Sequence, residues 1–156
     1  MIPIMRAARG IAIRLVVKRP AAKLSLGDLA LKLEESGRVL ERRYGAALDS
    51  AIHRERLRHI VGLERWGQRR LESVLGKEII VDEYDGYRPS ANAPWRDLRL
   101  AFVNTRRGTV ALARQLAKEN ANEDRTVAHN RFGDLTAREW LYYLRLHADL
   151  ESRRIS

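Results

Sequence analysis

The chain contains no cysteine among its 156 residues. Disulfide bonds, thiolate catalysis and cysteine-based zinc sites are therefore excluded together, and a reducing compartment fits this composition. Any metal site must use histidine, aspartate or glutamate. The sequence also lacks a Gly-x-Gly-x-x-Gly fingerprint, a Gly-x4-Gly-Lys-Ser/Thr phosphate loop, a Gly-x-Ser-x-Gly elbow and a His-Glu-x-x-His zinc helix. Nucleotide binding through these loops and acyl-enzyme catalysis accordingly have no support in the sequence.

Long apolar runs are absent as well. The apolar stretch over residues 11–17 is split by Arg14 and followed by Lys18, so it is too short and too charged for a signal peptide or a membrane span. We therefore expect a cytoplasmic protein without a membrane span. The structural alternative for residues 11–17 is a strand or a helical turn packed on the surface of the domain.

The net charge of +10 is concentrated at the start of the chain. Residues 1–24 carry six basic side chains and no acidic one, which leaves +4 for residues 25–156. We interpret residues 1–24 as a short basic arm that can contact phosphates, lipid headgroups or an acidic neighbour. Because solvated basic tails are common, we expect no nucleic-acid binding by this arm.

The rest of the chain contains four segments with the signals of amphipathic helices. The first begins with the capping-box pattern of Ser25 and Asp28, and Gly45 marks its end. The second covers about residues 49–75 and stops before Gly76. Its apolar face follows a spacing of three and four residues through Ile60, Leu63, Gly67, Leu71 and Val74.

The third segment opens with Pro94, which is tolerated in the first turn of a helix. Its heptad-like seam consists of Leu98, Phe102, Thr105, Thr109, Leu112 and Leu116. The fourth segment covers residues 135–155 and starts with a capping box of Thr136 and Glu139. Four helices of this length predict an all-α fold in which residues 25–156 form one four-helix bundle.

Two connections are longer than a helical hairpin requires. Residues 77–92 contain the apolar triplet Ile79–Val81, and residues 119–134 are polar. Loops of this length are often functional. The structural reading of the first is a crossover between the second and third helices, with the triplet covering one end of the bundle.

Two of the helical segments carry side chains that are capable of chemistry. His147 and Glu151 lie one turn apart on the apolar face of the fourth segment, and His59 lies in an apolar run of the second. Residues four apart share a helix face, so two imidazoles and one carboxylate can meet at one point. An inward carboxylate requires a partner. In the structural alternative, Glu151 pairs with Arg154 or Arg58 and both histidines are hydrogen-bonded within the core.

Three runs of this sequence resemble the DinB/YfiT-like family of metal-dependent enzymes. They are residues 59–66 (His-Ile-Val-Gly-Leu-Glu-Arg-Trp), residues 82–89 (Asp-Glu-Tyr-Asp-Gly-Tyr-Arg-Pro) and residues 132–140 (Phe-Gly-Asp-Leu-Thr-Ala-Arg-Glu-Trp), which lead to His147. The resemblance covers roughly residues 25–156. It implies a four-helix bundle, commonly dimeric, that holds a divalent metal with one histidine of the second helix and two of the fourth.

Carried over by position, His59 and His147 match two of the family's metal ligands. Glu151 stands where the family usually has its third histidine. Glutamate is a legitimate zinc ligand, and a set of two histidines and one glutamate is an open catalytic arrangement. The expected site is therefore His59, His147 and Glu151 around zinc, nickel or iron, with no other cofactor.

Three classes of function remain open. The resemblance implies a metal-dependent hydrolase or small-thiol transferase, whose small-molecule substrate the sequence does not identify. The Glu151 difference favours the alternative, a metal-free and inactive bundle that binds a small molecule or serves as a stress-related structural protein. The third class is a nucleic-acid or membrane-surface protein acting through residues 1–24. The apolar triplet at residues 79–81 and the resemblance together predict a homodimer.

Overall fold

The computed structural model describes residues 10–156, and about 71% of them are helical. Most of this helix lies in four long elements: α1 (Leu26–Ala46), α2 (Ala51–Glu72), α3 (Trp95–Lys118) and α4 (Ala137–Glu151). The prediction of a mainly helical protein is confirmed for this part of the chain. The first nine residues of the predicted basic arm, with Arg6 and Arg9, lie outside the described residues.

The predicted signals for the starts of α1 and α4 and for the end of α2 are confirmed, whereas Gly45 lies within the last turn of α1, which ends at Ala46. Ser25 Oγ accepts a hydrogen bond from the backbone N–H of Asp28 at 3.0 Å, and the Asp28 carboxylate accepts one from the N–H of Ser25. Thr136 and Glu139 form the same reciprocal pair at the start of α4. Gly76 adopts a left-handed conformation with φ of 98° after a 3-10 turn that ends α2. Caps of this kind contribute about 1 kcal/mol each.

A short antiparallel hairpin precedes α4. Its strands are β1 (Thr126–His129) and β2 (Gly133–Thr136), with Val127 opposite Leu135. The sequence predicted a polar loop over residues 119–134, so this element was missed. In β1, exposed and buried side chains alternate only twice, which is too few alternations for the period of two to be recognised in the sequence.

The apolar side chains of the four helices pack into two clusters. The larger includes Trp66 and Trp140 together with residues of the hairpin, and the smaller includes Trp95 and Phe102. Both clusters draw on α1, α2, α3 and α4, so the long helices share their core. Burying each large apolar side chain contributes about 2 kcal/mol, which is the main force that holds these helices together.

A charged pair is buried at the level between the two clusters. Glu64 of α2 and Arg106 of α3 form a two-pronged ion pair, with Nε–Oε1 at 2.7 Å and Nη2–Oε2 at 2.9 Å. Thr109 Oγ1 also donates to the Glu64 carboxylate. Arg106 Nη1 donates to the carbonyl of Leu33 and to Ser36 Oγ. Because burial removes solvent from both charges, these partners are what makes the pair tolerable.

Residues 10–22, within the predicted basic arm, are helical and include a π-helical stretch over Arg14–Lys18. We call residues 10–22 the N-terminal segment. Its buried positions recur every four residues, at Ile13, Val17 and Ala21. Lys18 Nζ donates to the carbonyl of Asp134 at 3.1 Å, which attaches the segment to the hairpin. The segment is therefore packed on the protein, as in the structural alternative considered above.

The connection between α2 and α3 contains a 3-10 turn at Tyr84–Tyr87 but is otherwise irregular. The apolar side chains of Ile79, Ile80 and Val81 are exposed by 55%, 39% and 81%. They do not cover an end of the helices as the sequence suggested. Polar contacts anchor this connection instead, because Arg70 Nη2 and Trp66 Nε1 both donate to the carbonyl of Asp82. Within residues 10–156, no helix is both long and apolar enough to cross a bilayer.

Candidate functional site

The structure brings His59 of α2 and His147 of α4 together. Their Nε2 atoms are 3.1 Å apart, which is a hydrogen-bond distance, and their ring centroids are 5.0 Å apart. One ring must donate its Nε2 hydrogen and the other must accept it, so the two imidazoles cannot both be protonated in this arrangement. The two rings form the imidazole pair to which the rest of this section refers.

The close approach of α2 and α4 depends on a glycine. A Cβ atom at Gly67 would lie 2.5 Å from Leu144 Cδ2 and 2.8 Å from Leu144 Cδ1. Gly67 is therefore required where the Leu144 side chain of α4 crosses α2. Leu144 lies three residues before His147, so this contact fixes the helix spacing next to the imidazole pair.

Burial keeps both imidazoles neutral. Desolvation, with smaller contributions from the nearby His59 and His129, lowers the pKa of His147 to about 3. Desolvation also lowers the pKa of His59, although the Glu151 carboxylate acts in the opposite direction. Neutral imidazole is the form that binds metal ions, and it can both donate and accept a hydrogen bond.

Glu151, the last residue of α4, does not complete a three-ligand group. Its Oε2 atom is 3.4 Å from Arg56 Nη1, and both side chains are about 30% exposed. Among residues 10–156, no three histidine, aspartate or glutamate side chains are grouped closely enough to hold a metal ion. The sequence suggested Arg154 or Arg58 as the structural partner of Glu151. Arg56 takes this place because it lies three residues before His59, on the side of α2 that faces α4.

The imidazole pair itself fits a transition-metal ion. Zinc binds imidazole nitrogen at about 2.0–2.1 Å, so two ligands of a tetrahedral ion lie roughly 3.3 Å apart. The observed separation of the Nε2 atoms, 3.1 Å, is close to this value. Glu151 has the right donor chemistry but is paired with Arg56. The spacing of two of the three expected ligands is therefore compatible with one ion, which would replace the hydrogen bond between them.

Two clefts meet at this site. On the His59 side, a cleft of about 570 Å³ is lined by polar residues that include Glu55, Arg56, Tyr84 and Arg88. On the His147 side, an almost entirely apolar cleft of about 280 Å³ lies between α4 and the N-terminal segment. Glu151 borders both clefts. His59 thus lines one cleft and His147 the other, and the two clefts differ in polarity.

His129 is a buried residue that the sequence interpretation treated as part of a loop. It lies in β1 and its Nδ1 atom accepts hydrogen bonds from the backbone N–H groups of Arg131 and Phe132. Aromatic rings surround it, namely Trp66, Phe132, Trp140 and Tyr143. Burial, with a contribution from Arg70 and Arg131, lowers its pKa to about 4. The alternation of Val127 and His129 in β1 is a local signal of its burial, but it is too short to identify a strand from the sequence.

The fold and the site define a mostly helical protein with a neutral imidazole pair at the junction of two clefts. No family model matches the sequence, and comparisons with curated proteins and with solved structures also found no match. Its function must therefore be argued from its own residues and from the motifs quoted above.

Proposed function

We propose that this protein is a DinB-like four-helix bundle and a metal-dependent hydrolase or small-thiol transferase. The resemblance of the runs at residues 59–66, 82–89 and 132–140 supports the family and the bundle type. The arrangement of α1, α2, α3 and α4 around a shared core is compatible with it. The observation on which the activity depends is the 3.1 Å separation of the two Nε2 atoms in the imidazole pair.

In this proposal, His59 and His147 hold one divalent ion of zinc, nickel or iron. Glu151 supplies the third ligand when it exchanges Arg56 for the ion. A divalent ion at this position would supply Lewis acidity toward a substrate carbonyl, a water molecule or a thiol. Imidazole and carboxylate donors suit these transition metals better than magnesium or calcium.

The residues around the imidazole pair would bind and orient the substrate. Arg88 and Arg56 line the polar cleft and can donate hydrogen bonds to a carbonyl oxygen of a substrate near His59. Arg88 is held in place by Glu55 and Asp85, which also balance its charge. The mostly apolar lining on the His147 side lowers the local polarity, which strengthens electrostatic interactions there.

Metal content tests this proposal directly. Protein purified without a histidine tag would be incubated with each metal, freed of excess ion and subjected to elemental analysis. We expect about one equivalent per chain for the wild type and almost none for His147→Ala, because two remaining ligands cannot hold the ion. His53→Ala is the matched control, since His53 lies on α2 but bonds the carbonyl of Leu48. Equal metal content in wild type and His147→Ala would contradict the proposal.

The metal-free bundle remains the second candidate function. The ion pair of Glu151 with Arg56 favours it, since a committed carboxylate is not a free ligand. In this case, the protein binds a small molecule in one of its clefts or acts structurally. Stoichiometric zinc or nickel that leaves the thermal unfolding temperature unchanged would favour this candidate over the enzyme.

We further propose that the protein is a cytoplasmic homodimer. The exposed triplet of Ile79, Ile80 and Val81 supports self-association, because adjacent apolar side chains are favourably covered by a second copy. Light scattering at micromolar concentration should give about twice the chain mass of 18.0 kDa. A mass equal to that of one chain would contradict the dimer. We expect no nucleic-acid binding, which a salt titration of DNA binding would test.

A further inference from the structure

The apolar cleft beside His147 is formed by two elements that the sequence did not connect. One wall is the N-terminal segment and the other is α4, with Phe132 of the hairpin turn at the boundary. The lining consists mainly of Ile13, Val16, Val17, Phe132, Leu146 and Leu150. Val16 and Leu150 are exposed by 51% and 43%, so the cleft can be reached from solvent. Its volume is about 280 Å³.

The polar groups of this cleft are concentrated in a few positions. His147, Glu151 and Tyr143 are the lining residues with polar side chains, and the first two lie one turn apart on α4. Their polar atoms contribute almost nothing to the cleft surface. A ligand would therefore place an apolar body against the aliphatic side chains and its polar end at the edge where His147 and Glu151 adjoin the polar cleft. The Glu151 charge is balanced by Arg56, so the cleft offers no net charge to a charged ligand.

We propose that this cleft binds an uncharged small molecule with an aliphatic body and one terminal hydrogen-bonding group, such as a hydroxyl or an amide. The inference names the substrate class of the same site and therefore extends the proposed function. A charged body is disfavoured because its desolvation in an apolar cleft costs several kcal/mol. The volume of liquid water per molecule, about 30 Å³, indicates room for about nine non-hydrogen atoms.

A series of straight-chain primary alcohols tests this inference. Binding of 1-butanol to 1-decanol would be measured by calorimetry on the full chain, as purified and again after treatment with a chelator. We expect the dissociation constant to fall about fourfold with each added methylene, which corresponds to about 0.8 kcal/mol. The gain in affinity should stop near eight carbons, when the alcohol fills the cleft. Methyl resonances of Ile13, Leu146 and Leu150 should shift on binding.

Two matched variants locate the binding site. Ala12→Phe fills the cleft from its rim, where Ala12 is exposed, and should weaken 1-hexanol binding at least tenfold. Ala22→Phe introduces the same side chain at an exposed position of the same segment, away from the cleft, and should leave binding unchanged. Val16→Ser, which makes the lining polar, should weaken binding severalfold and provides a second measurement if Ala12→Phe does not fold.

Several results would overturn the inference. These are an affinity that does not depend on alcohol length, equal losses in Ala12→Phe and Ala22→Phe, or no shift of the cleft methyl groups. An affinity that falls as the protein concentration rises would also overturn it, because a second copy of the chain would then occupy the cleft. The measurement after chelator treatment distinguishes this inference from the proposed function. Alcohol binding by the metal-free protein supports the ligand cleft even if the protein is shown to bind no metal.

Discussion

Two polar sites of this protein lie on the same helix, α2, and differ in how completely their hydrogen bonds are satisfied. The Glu64–Arg106 pair is almost fully buried, and its partners on α1 and α3 accept or donate at 2.7–3.2 Å. The imidazole pair is only half-buried, and the nearby Glu151–Arg56 contact is long, at 3.4 Å. Arg56 Nε is buried without a hydrogen-bond partner in the described part of the chain.

This difference separates a structural site from a site that can accept a ligand. A fully satisfied buried pair gains nothing from an added ligand, and it holds the helices in one arrangement. A partly satisfied site beside two clefts can gain hydrogen bonds or metal bonds when a ligand enters. Within α2, Glu64 therefore stabilises the fold, whereas His59, five residues earlier, is available for binding a ligand.

The largest effect on stability should come from breaking the satisfied pair. Arg106→Met leaves the Glu64 carboxylate buried without its cation, which should lower the free energy of unfolding by about 3–5 kcal/mol. Urea denaturation monitored by circular dichroism measures this loss. Arg107→Met is the control, because Arg107 is exposed and its replacement should change stability by no more than about 0.5 kcal/mol. Similar losses in the two variants would mean that the buried pair has no special role.

A smaller loss of stability is expected when the pH falls through the range in which His129 takes up a proton in the unfolded chain. Its pKa is about 4 in the folded protein and 6.5 in the unfolded chain. Above pH 6.5, both states hold neutral imidazole; between pH 6.5 and 4, only the unfolded chain takes up the proton, so folding loses stability as the pH falls. The loss should approach about 3 kcal/mol, at about 1.4 kcal/mol for each pH unit.

The pH dependence should be measured with His129→Asn as the comparison. Asparagine can place its carbonyl oxygen where Nδ1 accepts from the backbone N–H groups of Arg131 and Phe132. Carboxylates that titrate in the same pH range affect both proteins equally. The difference between the two slopes of unfolding free energy against pH is therefore due to His129. A variant whose unfolding free energy falls as steeply as that of the wild type would show that His129 titrates normally.

A change in the spacing of α2 and α4 should have a smaller effect on the free energy of unfolding. Gly67→Ala places a methyl group against Leu144, and overpacking of this kind costs about 1–3 kcal/mol, partly offset by the helix preference of alanine. We expect a net loss of about 1 kcal/mol by urea denaturation, with reduced metal binding by the displaced imidazole pair. Gly27→Ala, whose added methyl lies 3.7 Å from Ser25 Oγ, should cause neither loss.

The helices could be predicted from the sequence because their end signals are local. Ser25, Thr136 and Gly76 act through residues within four positions of themselves, so the pattern alone identifies them. The hairpin and the buried His129 could not be predicted in this way. Their burial depends on packing against Trp66 and Trp140, which are distant in the sequence from β1.

The candidate site shows the same limit. Helix periodicity placed His59 and His147 on inward faces, and their separation of 3.1 Å required only that α2 and α4 pack side by side. The partner of Glu151 depends on the crossing of these helices, so spacing suggested Arg154 or Arg58 whereas the structure has Arg56. The Glu64–Arg106 pair was missed because a glutamate within a helical segment gives no sign of an arginine on another helix.

The smallest effect on stability, and the most informative one for function, is expected at Glu151. Glu151→Ala removes a partly exposed ion pair with Arg56, which should cost less than about 1 kcal/mol. It should nevertheless lower metal affinity, whereas Glu151→His should keep or raise it by supplying a third imidazole.

Glu55→Ala is the matched control for Glu151→Ala, because Glu55 lines the same polar cleft and pairs with Arg58 and Arg88. Zinc and nickel titrations of the four proteins, followed by calorimetry, give the affinities, and urea denaturation gives the stabilities. If Glu151→Ala and Glu55→Ala bind metal as well as the wild type, the Glu151 carboxylate is structural. The incompletely satisfied site would then be a ligand cleft without metal, and the metal-free bundle would replace the enzyme.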